Sequence, residues 1–186
     1  VYPKMTPRLL IYTPHRSPRL EYTLQWVLEE RLGIMYEIST EPGARDTTSV
    51  PFICYDNTGT VQGIHIIPSG LLAETGIQEQ KLTPAEWHGL PVFFSNAGTV
   101  IPFDIFSAVF YLIARYEEYV YPDKDAHGRF LHTRSILHAC NALQLPLVDL
   151  WIQQLGEILK EHFPDLALKK ETFQYQPTFD IDQAFA

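Results

Sequence analysis

The sequence predicts an α/β fold: a mixed β-sheet flanked by helices, with an N-terminal β-α-β unit and a helix-rich C-terminal half. Three observations predict it. The first half holds apolar runs of six to eight residues bounded by turn formers, too short for helices. Helical periodicity occurs once early and then dominates after residue 103. Layering helices on a sheet is the simplest way to bury the apolar faces of both.

The elements follow in order. Residues 8–13 (RLLIYT) form a short apolar run suited to a buried strand. Ser17-Pro18 opens a helix, with serine as N-cap and proline at the first helical position. Leu20, Leu24, Val27 and Leu28 recur at helical spacing, Trp26 broadens the stripe, and Gly33 supplies the stop. Residues 34–40 (IMYEIST) read as a second strand, which closes a right-handed, parallel β-α-β unit. Residues 41–49 are a polar loop. Residues 50–55 (VPFICY) and 61–68 (VQGIHIIP) flank Asp56-Asn57-Thr58-Gly59 and suggest a hairpin. Residues 69–91 are irregular apart from a helical turn near Leu71, and residues 91–96 (PVFFSN) form another strand.

Residues 103–119 make the strongest helix, apolar almost all round over three turns and therefore buried on most faces. A polar loop over 121–132 leads to a short helix over 134–143. A longer helix spans 147–163, with Leu147, Leu150, Trp151, Ile152, Leu155, Ile158 and Leu159 on its apolar side and Pro164 after it. Residues 173–175 and 178–181 read as terminal strands.

Composition bounds the function. With 186 residues and 46% apolar content, one domain can bury a full core. The net charge of −8 argues against nucleic acid and against anionic membrane surfaces. No stretch approaches the roughly 20 apolar residues of a membrane span, and the opening residues lack a signal-peptide pattern. Cys54 and Cys140 lie far apart, outside any C-x-x-C pattern, and read as buried thiols. A cytoplasmic protein is the expectation.

Four constellations could carry chemistry. Thr13-Pro14-His15-Arg16-Ser17-Pro18 joins a strand to a helix, where open α/β sheets place ligands. His15 and Arg16 could hold an anion there, but no glycine-rich nucleotide fingerprint is present, and an ordinary capped loop is the simpler reading of the segment. Seven histidines occur, no two of them four apart. His127 and His132 flank a loop but lack a clear third metal ligand. Glu117, Asp123, Asp125 and Arg129 form a polar knot after the buried helix, with Glu117 and Arg129 placed to pair across the turn. Finally, Thr178-Phe179-Asp180-Ile181-Asp182 sets two carboxylates on alternate positions. In a strand both face one side, where like charges are costly unless a metal or proton is shared.

The segments at 8–33, 102–119, HGRF at 127–130, LPLVDLW at 145–151 and PTFDIDQAFA at 177–186 together resemble the N-terminal region of Bacteroidetes-type polysaccharide deacetylases. In that group an α/β domain of unassigned role precedes a NodB-homology domain. The resemblance covers nearly the whole chain, and residues 103–119 with HGRF are its most specific part. It implies an accessory domain over 1–172 and, over 173–186, a linker with the first strand of a deacetylase domain. That enzyme class uses a divalent metal, usually zinc, held by one aspartate and two histidines. The resemblance puts Asp180 at the general-base position and makes Asp182 a metal-ligand candidate, one residue displaced from the usual paired aspartates. The two histidine ligands do not occur in this sequence, so the domain itself is expected to hold no cofactor and to be non-catalytic. Its expected partner is the deacetylase domain of the same polypeptide, with a homo-oligomer as a further option.

Two other readings stand beside this one. An independent enzyme would use His15, Arg16, His127 and His132 in one pocket. A sugar- or partner-binding module would offer Trp87 or Tyr121 as a stacking platform.

Overall fold

The computed structural model describes residues 8–46, 50–58, 63–170 and 172–179. The architecture is α/β. Strands β1 (Leu9–Tyr12), β2 (Tyr36–Ser39), β3 (Phe52–Tyr55) and β4 (Ile64–Ile66) form a parallel sheet in the order β2-β1-β3-β4. A separate antiparallel ribbon pairs β5 (Ala85–Trp87) with β6 (Leu90–Val92). Parallel and antiparallel pairings thus both occur, but in different sheets.

Helix α1 (Pro18–Leu24) begins where Ser17-Pro18 requires: the Ser17 hydroxyl accepts the Leu20 N–H at 3.1 Å. It runs on as a π-helical segment, Gln25–Arg31, and stops at Gly33, whose φ of +68° suits glycine. Leu20, Leu24, Val27 and Leu28 are buried against Leu9, Ile11, Ile53, Tyr55, Ile64 and Ile66 on one face of the sheet. The opposite face carries Tyr12, Phe52 and Cys54 and is met by the short 3₁₀ segment Pro42–Asp46 through Ala44.

The expected hairpin over 50–68 is overturned. β3 and β4 are parallel, with Cys54 opposite His65 in register. Eight residues, 56–63, separate the two strands, fewer than most parallel crossovers take. The approach to β4 is tight. Gly63 has φ +76°, and a Cβ there would lie 2.4 Å from the Phe52 carbonyl oxygen, so only glycine fits. A four-residue turn signal between two apolar runs cannot reveal strand direction, which explains the miss.

The single helix expected over 103–119 is two. α2 (Ile105–Ile113) is buried nearly all round, and α3 (Tyr116–Val120) follows a break at Arg115, which sits left-handed at φ 53°. That conformation costs a non-glycine residue roughly 1–2 kcal/mol. The break lets Tyr116 fold back against Phe110 and Tyr111, and it lets buried Glu117 accept the Ile136 N–H at 2.6 Å. Helix α4 (Ile136–Ala139) is shorter than expected, while α5 (Leu147–His162) matches its periodicity and buries Trp151 completely. The Trp151 indole donates to the Pro91 carbonyl at 3.0 Å and ties α5 to β6.

No strand forms over 173–175 or at 178 and 179, contrary to expectation. Residues 172–179 are irregular and all exposed. An apolar alternation makes a strand only beside a partner strand, and among the described residues this segment has no paired neighbour. Residues 180 and 181 lie outside the described residues.

Candidate functional site at the sheet switch point

From β1 the chain crosses through α1 to β2 on one side, then returns to β3 on the other. The crevice beyond the carboxyl ends of β1 and β3 is therefore the topological switch point, where open α/β sheets take ligands. A cavity of about 210 Å³ lies there, lined by Thr13, His15 and Ser17 after β1, by Tyr55, Asp56 and Asn57 at the end of β3, and by the loop after β4.

The walls are fixed by hydrogen bonds. The Thr13 hydroxyl donates to the His15 carbonyl at 3.1 Å, and the Ser17 hydroxyl donates to the Leu72 carbonyl. Behind the wall sits Asp104, the N-cap of α2, with no exposed surface. One carboxylate oxygen accepts the Ser107 N–H at 3.1 Å. The other accepts the Tyr55 hydroxyl (3.0 Å), the Ser69 N–H (2.7 Å) and the Ser107 hydroxyl (2.6 Å). Tyr55 and Ser69 both line the cavity, so Asp104 ties its two walls to the buried helix. Burial pushes the Asp104 carboxyl above its ordinary pKa despite the four donors. Burial, reinforced by that carboxylate, holds the Tyr55 phenol well above its own.

Beside the cavity the sheet gathers three potential metal ligands. Cys54 and Asp56 stand two apart along β3 and its exit, and His65 lies across from Cys54 on β4. One ligand atom from each lies within 4.8 Å of the others. Cys54 Sγ approaches Asp56 Oδ1 at 3.3 Å, and His65 Nε2 lies 3.8 Å from that oxygen and 2.9 Å from the Asp56 carbonyl. The Asp56 carboxylate also accepts the Thr58 N–H (3.0 Å) and hydroxyl (2.6 Å). Sequence reasoning treated Cys54 as a buried thiol and gave His65 no role of its own. Only the parallel register brings them together, and no local signal encodes it.

The sequence-predicted residues fare differently. His15 lines the switch-point cavity, whereas Arg16 points away and pairs with Glu21 at 2.9 Å. His132 lines another cavity of about 540 Å³ with Arg115, Lys124 and Arg129, and the two linings share no residue. His127 lines neither, and its N–H donates to Asp125 at 2.8 Å. The fold does not gather the two histidine loops into one pocket. Arg129 pairs with Asp125 at 2.9 Å rather than with Glu117. The Asp125 carboxyl is held below its ordinary value, chiefly by the Arg129 N–H. Trp87 is buried against Phe103 and cannot serve as an open platform, and half-buried Tyr121 donates its hydroxyl to Glu79. Asp180 and Asp182 lie outside the described residues. A larger groove of about 640 Å³ runs along α5 beside the Arg31–Asp149 ion pair, away from the switch point.

Among the described residues no helix is long and apolar enough to cross a membrane. Comparison with curated proteins finds no match, nor does comparison with solved structures. Residues 9–164, from the first residue of β1 to the proline after α5, match the family described as "Family of unknown function (DUF7033)", and the chain belongs to that family.

Proposed function

We propose that this domain is a non-catalytic accessory domain of a metal-dependent polysaccharide deacetylase, packed against a deacetylase domain that follows it on the same polypeptide. One observation carries the reading. Residues 172–179 run off the core with Phe173, Tyr175 and Phe179 exposed by 94%, 81% and 85%, straight into the Thr178-Phe179-Asp180-Ile181-Asp182 motif. Burying a large apolar side chain is worth about 1.5–3 kcal/mol. Three aromatics in eight residues are a strong incentive for that segment to pack on another surface.

The domain's own cavity supports a binding or packing role over nucleophilic catalysis. Its Thr13 and Ser17 hydroxyls donate to backbone carbonyls, not to a base. In this reading Asp182 and two histidines of the domain beyond would hold the metal, zinc by resemblance, which would supply an activated water for attack on an N-acetyl carbonyl, and Asp180 would take that water's proton. The same reading places the protein in the cytoplasm, where Cys54 and Cys140, far apart in sequence and outside any C-x-x-C pattern, are expected to stay reduced.

The test is zinc-dependent acetate release from N-acetylglucosamine oligomers, measured for residues 1–186 and for the natural polypeptide read past Ala186. Activity in the longer polypeptide alone is the expected result. Activity in residues 1–186, or a reading frame that stops at Ala186, refutes the proposal.

A further inference from the structure

We propose that Cys54, Asp56 and His65 form a zinc site of this domain, on grounds independent of the deacetylase reading. The sheet itself supplies the preorganisation. Cys54 and His65 are cross-strand neighbours in a parallel pair, and Asp56 follows Cys54 on the same side of the strand. Cys54 and Asp56 are buried, and the His65 side chain is 19% exposed, so the site sits at the rim of the fold with an entry on the histidine side.

The spacing suits a tetrahedral ion. Zinc bonds of about 2.0–2.3 Å place neighbouring ligand atoms roughly 3.3–3.8 Å apart. The separations from Asp56 Oδ1 are 3.3 Å to the cysteine sulfur and 3.8 Å to the histidine nitrogen. The donor set selects the metal. A thiolate with an imidazole favours zinc over magnesium or calcium, which prefer all-oxygen sets. Thr58 donates twice to the Asp56 carboxylate and orients it, as outer-shell partners of metal ligands do.

Binding exchanges two contacts. The Cys54 thiol releases its proton to solvent and becomes the thiolate ligand. His65 Nε2, which donates to the Asp56 carbonyl, gives up that bond and releases its proton to solvent, and the neutral ring takes a proton from solvent on Nδ1 so that Nε2 can ligate. Three protein ligands among the described residues leave a fourth position for water or a ligand. Asp56 lines the switch-point cavity, which places that position beside the crevice.

The experiment uses the whole chain, stripped with a chelator and titrated with zinc by calorimetry and with cobalt by absorbance. We expect one ion per chain, a cobalt–thiolate charge-transfer band, and a rise in melting temperature with added zinc. Cys54→Ser and His65→Gln should each weaken zinc by about 100-fold or more, the upper scale of even outer-shell changes. Cys54→Ser should also abolish the band, while Cys140→Ser leaves both unchanged. His65→Gln keeps the cysteine in place, so it reads the site even if Cys54→Ser folds poorly. Absence of stoichiometric zinc, or zinc binding unchanged in His65→Gln, overturns the proposal.

Discussion

Replacing Asp104 with alanine tests how the switch-point crevice is held together. Four donors converge on this fully buried carboxylate: the Ser107 N–H and hydroxyl, the Ser69 N–H and the Tyr55 hydroxyl. Losing an N-cap costs about 0.5–2 kcal/mol. Each buried donor left without a partner costs about 1–3 kcal/mol more. Two terms reduce the sum. Water entering the vacated space can satisfy some of the donors, and alanine removes a carboxylate whose charged form burial already disfavours. We expect a net loss of about 3 kcal/mol. With a urea slope of about 2 kcal/mol per molar, the midpoint falls by about 1.5 M. Urea unfolding followed by circular dichroism reads this directly. Asp104→Asn should lie between, because one amide N–H₂ then faces donors. Tyr55→Phe alone should cost about 1 kcal/mol and couple to Asp104→Ala in a double-mutant cycle. A midpoint shift below about 0.3 M, less than a single ordinary hydrogen bond is worth, would refute the reasoning.

The same group sets a pH dependence. Its folded pKa is raised, so the stability it contributes is complete below the ordinary carboxylate value and is lost as pH rises through the folded one. The stability gap between wild type and Asp104→Ala should therefore narrow from acid towards neutral pH, and a gap that widens contradicts the assignment. Gly63→Ala should destabilise by more than about 1 kcal/mol, since it combines a left-handed backbone with a clash at the Phe52 carbonyl; a melting temperature at or above wild type would count against the close approach of Gly63 to Phe52. Trp151→Phe should lose about 1 kcal/mol for the indole bond to Pro91, together with the blue-shifted emission of a fully buried indole, and unchanged emission would place that indole elsewhere.

Much of the fold was legible because local chemistry specified it. Ser17-Pro18 marked the first residue of α1, Gly33 marked the stop after the π-helical segment that continues it, and the spacing of Leu147, Trp151, Leu155 and Leu159 marked the buried face of α5. What failed was long-range. The runs containing Phe52 and Ile64 announced strands but not their direction, because a short buried strand looks the same in either. The break at Arg115 carried no glycine or proline to betray it; the packing of Tyr116 decides it. The site was less legible than the fold. His15 was found from its place after a strand. Asp104 looked like a helix start and nothing more, since its partners Tyr55 and Ser69 lie 49 and 35 residues away in sequence. Cys54 and His65 meet only through strand register, which no spacing in the sequence displays.

We propose above that Asp180 and Asp182 belong to the catalytic centre of a following deacetylase domain and that residues 1–172 do not catalyse. Steady-state acetate release by the natural polypeptide carrying Asp180→Asn, Asp182→Asn or Asp104→Asn tests it most directly. The account predicts kcat reduced at least about 100-fold in the first two, the scale of losing a catalytic base, with bound metal also lost in Asp182→Asn, and kcat retained for folded Asp104→Asn. Full activity in both Asp180→Asn and Asp182→Asn would contradict it.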